Sequence, residues 1–432
     1  MTGEGNGMDR DRVVRVGLLG FGTIGASVYR LIQKEHDRIL EGTGVDLQVA
    51  KVLEIDATKV PAGAPEGLFT DDFSQIVDDP TIEIVVEVIG GTDAAFTFLD
   101  TAMRRGKNVV TANKQLLATR GEALFTLARD EKRHLRFEAS VAGAIPIIKV
   151  MRESMIAAGL HTVYGIVNGT TNYILTHMYN DEGDYAEILA RAQELGYAEA
   201  DPTADVGGAD AAAKMAILAS IAFHSRVTLR DVAFSGIENV TLADVRYAKD
   251  LGFVVKLVGA ARLIDGRVSV RVFPALLPEE HPLAAIHGSN NAVFLQGEAI
   301  GEVMLMGPGA GGVPTATAVV SDIISIANTK DVGFLQSCSC YRSLGFYPAE
   351  EVESAFFIKM DVADQAGVLA QIASVFAEHS VSIARMIQKG RGDEAELVLI
   401  THPTRERDFF AAIEQTKGLV CCKSRPMTLR VL

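Results

Sequence analysis

One short run constrains the fold of this chain more than any other. Gly17-Leu-Leu-Gly20-Phe21-Gly22-Thr23-Ile24-Gly25 closes an apolar segment at 13–19 and opens a helical pattern over 26–41. In a strand–turn–helix of this kind Gly20 permits the tight turn and Gly22 lets the backbone approach a pyrophosphate. Gly25 allows the helix to pack closely on the sheet. The intervening Phe21, Thr23 and Ile24 complete a loop whose unpaired N–H groups face an anion at the helix N-terminus. The alternative is a plain glycine-rich turn; the strand before the run, the helix after it and a second strand at 47–53 favour dinucleotide binding.

The surrounding pattern extends that reading. Apolar runs at 47–53, 83–89, 108–111 and 134–139 alternate with helical patterns at 96–103 and 115–128, as in a parallel doubly wound sheet. We place a dinucleotide-binding domain at 13–145, after a disordered tail at 1–12. A catalytic and dimerisation domain follows at 146–312, of α+β type, with helices at 147–158, 170–179, 186–195 and 210–224. Its strands fall at 253–263, 267–275, 292–296 and 301–306. Residues 313–349 form a return helix (313–330) that packs back on the first domain, with a linker. Residues 350–432 read strand, helix, strand, strand, helix, strand, the βαββαβ order of a ferredoxin-like unit.

Composition narrows the function. Among 432 residues, 41 Lys and Arg oppose 55 Asp and Glu, a net charge of −14, which repels phosphate backbones and argues against nucleic acid as a partner. No apolar stretch approaches the roughly 20 residues of a bilayer span, and the N-terminus lacks a signal-peptide core. Four cysteines (Cys338, Cys340, Cys421, Cys422) are too few for a disulfide scaffold, and no Cys/His cluster suggests zinc. A cytoplasmic enzyme acting on small molecules is the expectation.

Several residues are candidates for its chemistry. Glu54 and Asp56 end the second strand, where a carboxylate accepts hydrogen bonds from an adenosine ribose and disfavours a 2′-phosphate; Lys59 offsets this in part. Lys114, in Thr111-Ala-Asn-Lys114, lies at the C-terminal edge where open α/β sheets bind ligands. The densest constellation is Gly196-Tyr-Ala-Glu199-Ala-Asp201-Pro-Thr-Ala-Asp205-Val-Gly-Gly-Ala-Asp210-Ala-Ala-Ala-Lys214. Gly196 is a natural helix stop, Asp210 reads as an N-cap, and Lys214 shares its helix face four residues on. An ordinary surface pair is one reading. A desolvated lysine in an alanine-rich helix, poised for proton transfer, is the other. Asn168-Gly-Thr-Thr-Asn-Tyr173 and Met306-Gly-Pro-Gly309-Ala-Gly311-Gly312 put open backbone before a helix, and Gly367 bends the C-terminal unit from strand to helix.

Together these residues resemble homoserine dehydrogenase of the long form, with a C-terminal ACT domain. The likeness runs from about Val13 to the end and is carried chiefly by the 196–214 constellation. Val88-Ile-Gly-Gly91-Thr92, Thr111-Ala-Asn-Lys114, Asn168–Tyr173 and Gly307-Pro-Gly-Ala-Gly311 support it in the right order. The resemblance implies reversible NAD(P)-dependent interconversion of L-homoserine and L-aspartate 4-semialdehyde, a step toward threonine, isoleucine and methionine. By the same likeness Lys214 is the acid/base and Lys114 assists it. Glu199 and Asp210 bind substrate, Asp205 supports the site, and Thr92, Gly196 and Gly309 contact the cofactor. It also implies a sodium site at Glu138, Val141, Gly143 and Ile145, and a homodimer or homotetramer. A threonine effector would be held by Gly367, Val368 and Leu369.

The charge logic agrees: carboxylates pair the substrate ammonium, and a cationic lysine stabilises the developing alkoxide. Two departures from the family pattern matter. Ile55 stands where many relatives carry arginine, which favours NAD or dual cofactor use. Ala366 replaces the proline of the usual Asp-x-Pro-Gly turn. A chain ending near Gly345 is expected to keep activity and lose any threonine response. A 2-hydroxyacid dehydrogenase would need a His–carboxylate pair that the nine scattered histidines do not supply, and a silent sensor would have no use for Lys214.

Overall fold

The computed structural model describes residues 12–329, 340, 342–390 and 395–432. Most of the expected tail, the last residue of the return helix and Cys338 fall outside them. The chain folds into two compact units that interleave along the sequence rather than following consecutive spans. One comprises residues 1–163, 213–232 and 291–343, the other 164–212, 233–290 and 344–432.

The first unit is built on a six-stranded sheet in the order β3-β2-β1-β4-β5-β6, every pair parallel. Its strands are β1 (Arg12–Leu19), β2 (Val45–Leu53), β3 (Phe69–Thr70), β4 (Ile82–Glu87), β5 (Asn108–Thr111) and β6 (Leu135–Arg136). Its helices are α1 (Thr23–Lys34), α2 (His36–Thr43), α3 (Ser74–Val77), α4 (Asp93–Arg104), α5 (Lys114–Asp130) and α6 (Ile147–Lys149). This is the strand order of the dinucleotide-binding fold. The apolar runs are covered on both faces: Val14, Val16, Leu18, Ile84 and Val86 share one core with α1 and α12, and Leu19, Val85 and Val109, which point the other way, are buried as well. The helix expected over 26–41 is two helices, because Glu35 leaves the helical conformation (ψ 15°). His36 then bonds Asp46 at 2.9 Å, drawing α2 toward β2. The strand expected over 134–139 is two residues long and passes into a 3₁₀ turn at Glu138–Ser140. Strand β7 (Leu160–Ile166) begins in this unit and ends in the other. The unit is completed by β11 (Asn290–Gly297), β12 (Gly301–Pro308) and α12 (Gly312–Asn328). Helix α12 adds Ala316, Val319, Val320 and Ile323 to the core around β1.

The second unit contains α7 (Gly169–Asn180), α8 (Tyr185–Glu194), α9 (Thr203–Val206), β8 (Ala233–Phe234) and α11 (Leu242–Asp250). Helix α10 (Ala209–Ala222) starts here and runs into the first unit. Strands β9 (Phe253–Ile264) and β10 (Arg267–Pro278) form a long hairpin. Its two-residue turn, Asp265-Gly266, holds φ of 49° and 72°, the left-handed pair that matches strand twist and selects Asp-Gly.

The last segment is the βαββαβ unit, with β13 (Glu353–Val362), α13 (Val368–Glu378), β14 (Ile383–Lys389), β15 (Ala395–Thr401), α14 (Glu406–Lys417) and β17 (Met427–Val431), plus a two-residue β16 (Thr404–Arg405). Its sheet runs β14-β15-β13-β17, with Phe376 and Phe409 in the core under both helices. It is not a bead on a loose tether. Strand β17 also pairs in parallel with β10, so one sheet continues through both, and the linker bonds β10 at Val268. Between the two, Glu406 is buried with Arg271 beside it and Arg430 bonded bidentately at 2.7 Å.

Candidate active site

The parallel register brings the C-terminal ends of β1, β2 and β4 level, since Leu19 pairs with Leu53 on one side and Glu87 on the other. The glycine loop leaves from that edge. Gly20 holds φ 98°, and a Cβ there would meet Ile89 at 2.9 Å. Gly25 packs so tightly that a Cβ would lie 2.1 Å from the Gly20 carbonyl oxygen, whereas Gly22 faces open space. No side chain caps α1, so the N–H groups of its first turn, around Thr23, Ile24 and Gly25, have no intrahelical acceptor. A turn glycine, an open glycine and a packing glycine before an uncapped helix fit a bound pyrophosphate.

Glu54 lies at this edge as the sequence expects, with a backbone duty that the sequence does not show. It accepts the Phe21 N–H at 2.9 Å and the Asp56 N–H at 3.0 Å, tying the glycine loop to β2. Burial opposes its ionisation, but those two N–H groups and Lys59 outweigh it and hold the carboxyl below its usual range. Ile55 beside it is exposed.

On the next strand Glu87, fully buried, accepts the Thr111 hydroxyl at 2.6 Å and the Ile89 N–H at 3.0 Å. Burial raises its pKa despite these bonds. It was invisible in sequence because it sits inside an apolar run. It joins the ends of β4 and β5, after which Asn113 caps α5 and donates to the Gly91 carbonyl at 2.6 Å. Lys114 is thereby the first residue of α5, half-buried, and Thr92 precedes α4.

Glu138 receives the Ile148 and Lys149 N–H groups, each at 2.8 Å, capping α6, and its own N–H donates to Asp322. That helix passes into a π turn at Val150–Ser154 and ends well short of residue 158. Burial, reinforced by Asp322, pushes the Glu138 carboxyl up to about 7. Between Val141 and Ile145 the chain coils through two successive left-handed residues, Ala142 (φ 57°) and Gly143 (φ 54°). The Ile145 carbonyl accepts the Ile147 N–H at 2.7 Å. Gly309 lies against Gly143.

In the second unit the acidic constellation is organised by Asn168. This residue caps α7 through its Oδ1, which accepts the Thr171 N–H at 2.9 Å. Its Nδ2 donates to Asp205 at 2.7 Å and to Asp210 at 2.9 Å. One amide therefore links two carboxylates that sequence alone had only strung along a loop. The expected N-cap role of Asp210 is corrected: α10 begins at Ala209, so Asp210 lies inside its first turn, where it is buried. The preceding turn is set by Gly208 at φ 89°.

Lys214 follows on the same helix and is buried (8% exposed), as are its chain neighbours Ala212, Ala213, Met215 and Ala216. The surface-pair reading is thus excluded. Gly196 ends α8 at φ 75° with both bonds of a Schellman motif, Tyr197 N–H to the Ala192 carbonyl and Gly196 N–H to the Gln193 carbonyl. Glu199 is exposed, and its carbonyl accepts from Gln193; no described bond joins it to Asp205 or Asp210. In the C-terminal segment Gly367 holds φ 90° at the start of α13. Gly367 and Leu369 are exposed and Val368 is buried. Among the described residues no helix is long and apolar enough to cross a membrane, and no cluster of three His, Cys, Asp or Glu could hold a metal.

Comparison with known proteins agrees with this geometry. Residues 20–138 match the NAD-binding domain of homoserine dehydrogenase, 146–324 the homoserine dehydrogenase domain and 356–421 the ACT domain. The homoserine dehydrogenase of Bacillus subtilis is 40% identical over 427 residues, covering 97% of this chain and 98% of the relative. That of Mycobacterium tuberculosis is 44% identical over 404 residues, 91% of each. Among solved structures, a homoserine dehydrogenase from Thiobacillus denitrificans superposes with a TM-score of 0.93 at 37% identity, covering 98% of this chain and 99% of that one. The S. aureus enzyme gives 0.77 at 30% identity, covering 97% and 99%. A parallel sheet with a nucleotide loop, an acidic cluster heading a helix with a buried lysine, and full-length likeness to these relatives lead to one conclusion: the chain belongs to the homoserine dehydrogenase family.

Proposed function

We propose that the protein interconverts L-homoserine and L-aspartate 4-semialdehyde with NAD or NADP. The observation that carries this is Asn168, whose amide links Asp205 and Asp210 at the head of the helix bearing the buried Lys214. The loop from Gly20 to Gly25, together with Glu54, Thr92, Lys114 and Gly309, would hold the dinucleotide. When bound, its nicotinamide supplies the hydride chemistry.

The chain's own residues do the rest. Asp210 and Glu199 bind the substrate ammonium, and Asp205 supports Asp210 through Asn168. Lys214 donates a proton to the carbonyl oxygen in the reductive direction and removes it in the oxidative one, while Lys114 stabilises the same oxygen. Glu54, followed by the exposed Ile55 rather than an arginine, favours NAD, while the Lys59 ammonium 3.7 Å from Glu54 leaves room for dual use. By the family likeness the Val141, Gly143 and Ile145 carbonyls, with Glu138, would hold a sodium ion in the segment that turns through the left-handed residues Ala142 and Gly143. The exposed turn at Gly367 offers backbone to a small amino acid, with threonine as the effector. A cytoplasmic homodimer or homotetramer completes the reading.

The test is formation of reduced nicotinamide from homoserine with each cofactor, for the wild-type chain and Lys214→Ala. The substitution should lower kcat about a hundredfold or more and leave cofactor affinity intact. Unchanged turnover refutes the role of Lys214, and a hundredfold preference for NADP refutes the cofactor assignment.

A further inference from the structure

Strand β11 carries Asn291, which is completely buried. Among the described residues neither its Oδ1 nor its Nδ2 has a hydrogen-bond partner. Unmet polar groups in the interior are costly, so packing alone does not account for an amide here. Its side chain presses on Gly309. A Cβ built on Gly309 would lie 2.1 Å from Asn291 Cγ, 2.2 Å from Nδ2 and 2.3 Å from Oδ1. Gly309 is not among the residues with positive φ, so its backbone conformation would accept alanine; the Asn291 side chain forbids it.

The turn that contains Gly309 is held on two further sides. A Cβ on Gly143 would meet the Gly309 carbonyl oxygen at 2.6 Å, and the Ala144 N–H donates to the Pro308 carbonyl at 3.1 Å. Three residues on, Gly312 lies against the nucleotide-loop helix α1, where a Cβ would meet Ser27 Oγ at 2.6 Å. Asn291 is therefore the wedge beneath a turn that also rests on the Gly143 coil and on α1.

We propose that Asn291 is a positioning residue for the nicotinamide cofactor. It sets the height of the 309–311 turn by contact with Gly309 and offers its amide to the peptide groups of that turn when the turn settles on the bound dinucleotide. The inference rests on the assignment of Gly309 to the cofactor site.

The test uses the full chain, with homoserine oxidation (kcat, and KM for the cofactor) and thermal midpoint as readouts. Gly309→Ala should raise cofactor KM at least tenfold with kcat within threefold. Adding Asn291→Ala should bring KM back to within threefold of that of Asn291→Ala alone. If Gly309→Ala does not fold, recovery of folded, active protein in the double variant is the same supporting result. Asn291→Leu keeps the branching at Cγ and removes the amide while adding bulk; it should raise KM about tenfold with kcat within threefold, a split that a purely structural residue does not produce. Wild-type KM in Gly309→Ala, a double variant no better than Gly309→Ala, or unchanged KM in Asn291→Leu overturns the proposal. A wild-type chain that fails to oxidise homoserine counts against the activity instead, so the two failures are distinguishable.

Discussion

Replacing Glu406 by alanine should destabilise the second unit by about 4 kcal/mol, within the range measured when one partner of a buried ion pair is removed. The argument rests on exposure and geometry. The side chains of Glu406 and Arg271 are 6% and 9% exposed, while Arg430 at 22% can still reach water. Arg430 binds both carboxylate oxygens at 2.7 Å, and Ser354 donates to one at 3.1 Å. Glu406→Ala strands the Arg271 guanidinium, which cannot relax into solvent, and leaves a charge uncompensated. For a folding unit of roughly 200 residues, 4 kcal/mol corresponds to a fall in Tm of about 10 °C.

The acid limb gives a second reading of the same group. Burial opposes ionisation of Glu406, but Arg430 and Arg271 outweigh it and hold its pKa below the usual 4.5. A carboxyl depressed in the folded state contributes stability that is complete above its unfolded pKa and is lost as pH falls through the folded value. The variant should therefore differ most from the wild type at neutral pH, and the difference should shrink as pH falls from the usual carboxylate range through the lower folded pKa of Glu406. Calorimetry or circular dichroism across pH 3–8 measures both effects. A Tm change of less than about 2 °C at pH 7 would show that water screens the cluster and would refute the reasoning.

Three further outcomes follow from the structure. Asn168→Leu removes the amide joining Asp205 and Asp210 and should raise homoserine KM about tenfold or more, with cofactor KM little changed; equal effects on both would contradict its place in the substrate half. Lys256 is wholly buried, bonded to Asn172 at 2.8 Å and to the Ile286 carbonyl, and burial lowers its pKa to about 7. Between pH 7 and 10 the unfolded chain binds more protons there than the folded one, so this group makes stability rise with pH by up to about 1.4 kcal/mol per unit; Lys256→Met should lose that slope in denaturant titrations, and an unaltered slope would disprove the shift. A chain ending near Gly345 loses β17 from the edge of β10 along with Glu406, so the intact activity expected from sequence should come with a Tm at least 5 °C lower and with aggregation through the bared strand; an equally stable truncation would show that β17 contributes little to β10.

The sequence by itself determined much of what depends on near neighbours, though not every boundary: the helix break at Glu35 and the start of α10 at Ala209 were not read from it. The glycine turn, the parallel doubly wound sheet implied by alternating apolar runs, the βαββαβ segment and the helix stop at Gly196 are matters of backbone sterics and short-period burial, which a local pattern carries. Lys214 was legible for the same reason: a cation amid alanines on one helix has no local route to water. What only the tertiary structure decided lies in side chains that meet across long separations. Asn168 reaches Asp205 and Asp210 some forty residues on, Asn291 dictates the glycine at 309, and Glu406 closes on an arginine 135 residues away. Glu87 was hidden because an apolar strand shows no signal for one carboxylate whose partner hydroxyl sits on the adjacent strand. Such pairings are set by register and packing. A residue's type fixes which bonds it is able to make; the fold decides which of them are within reach.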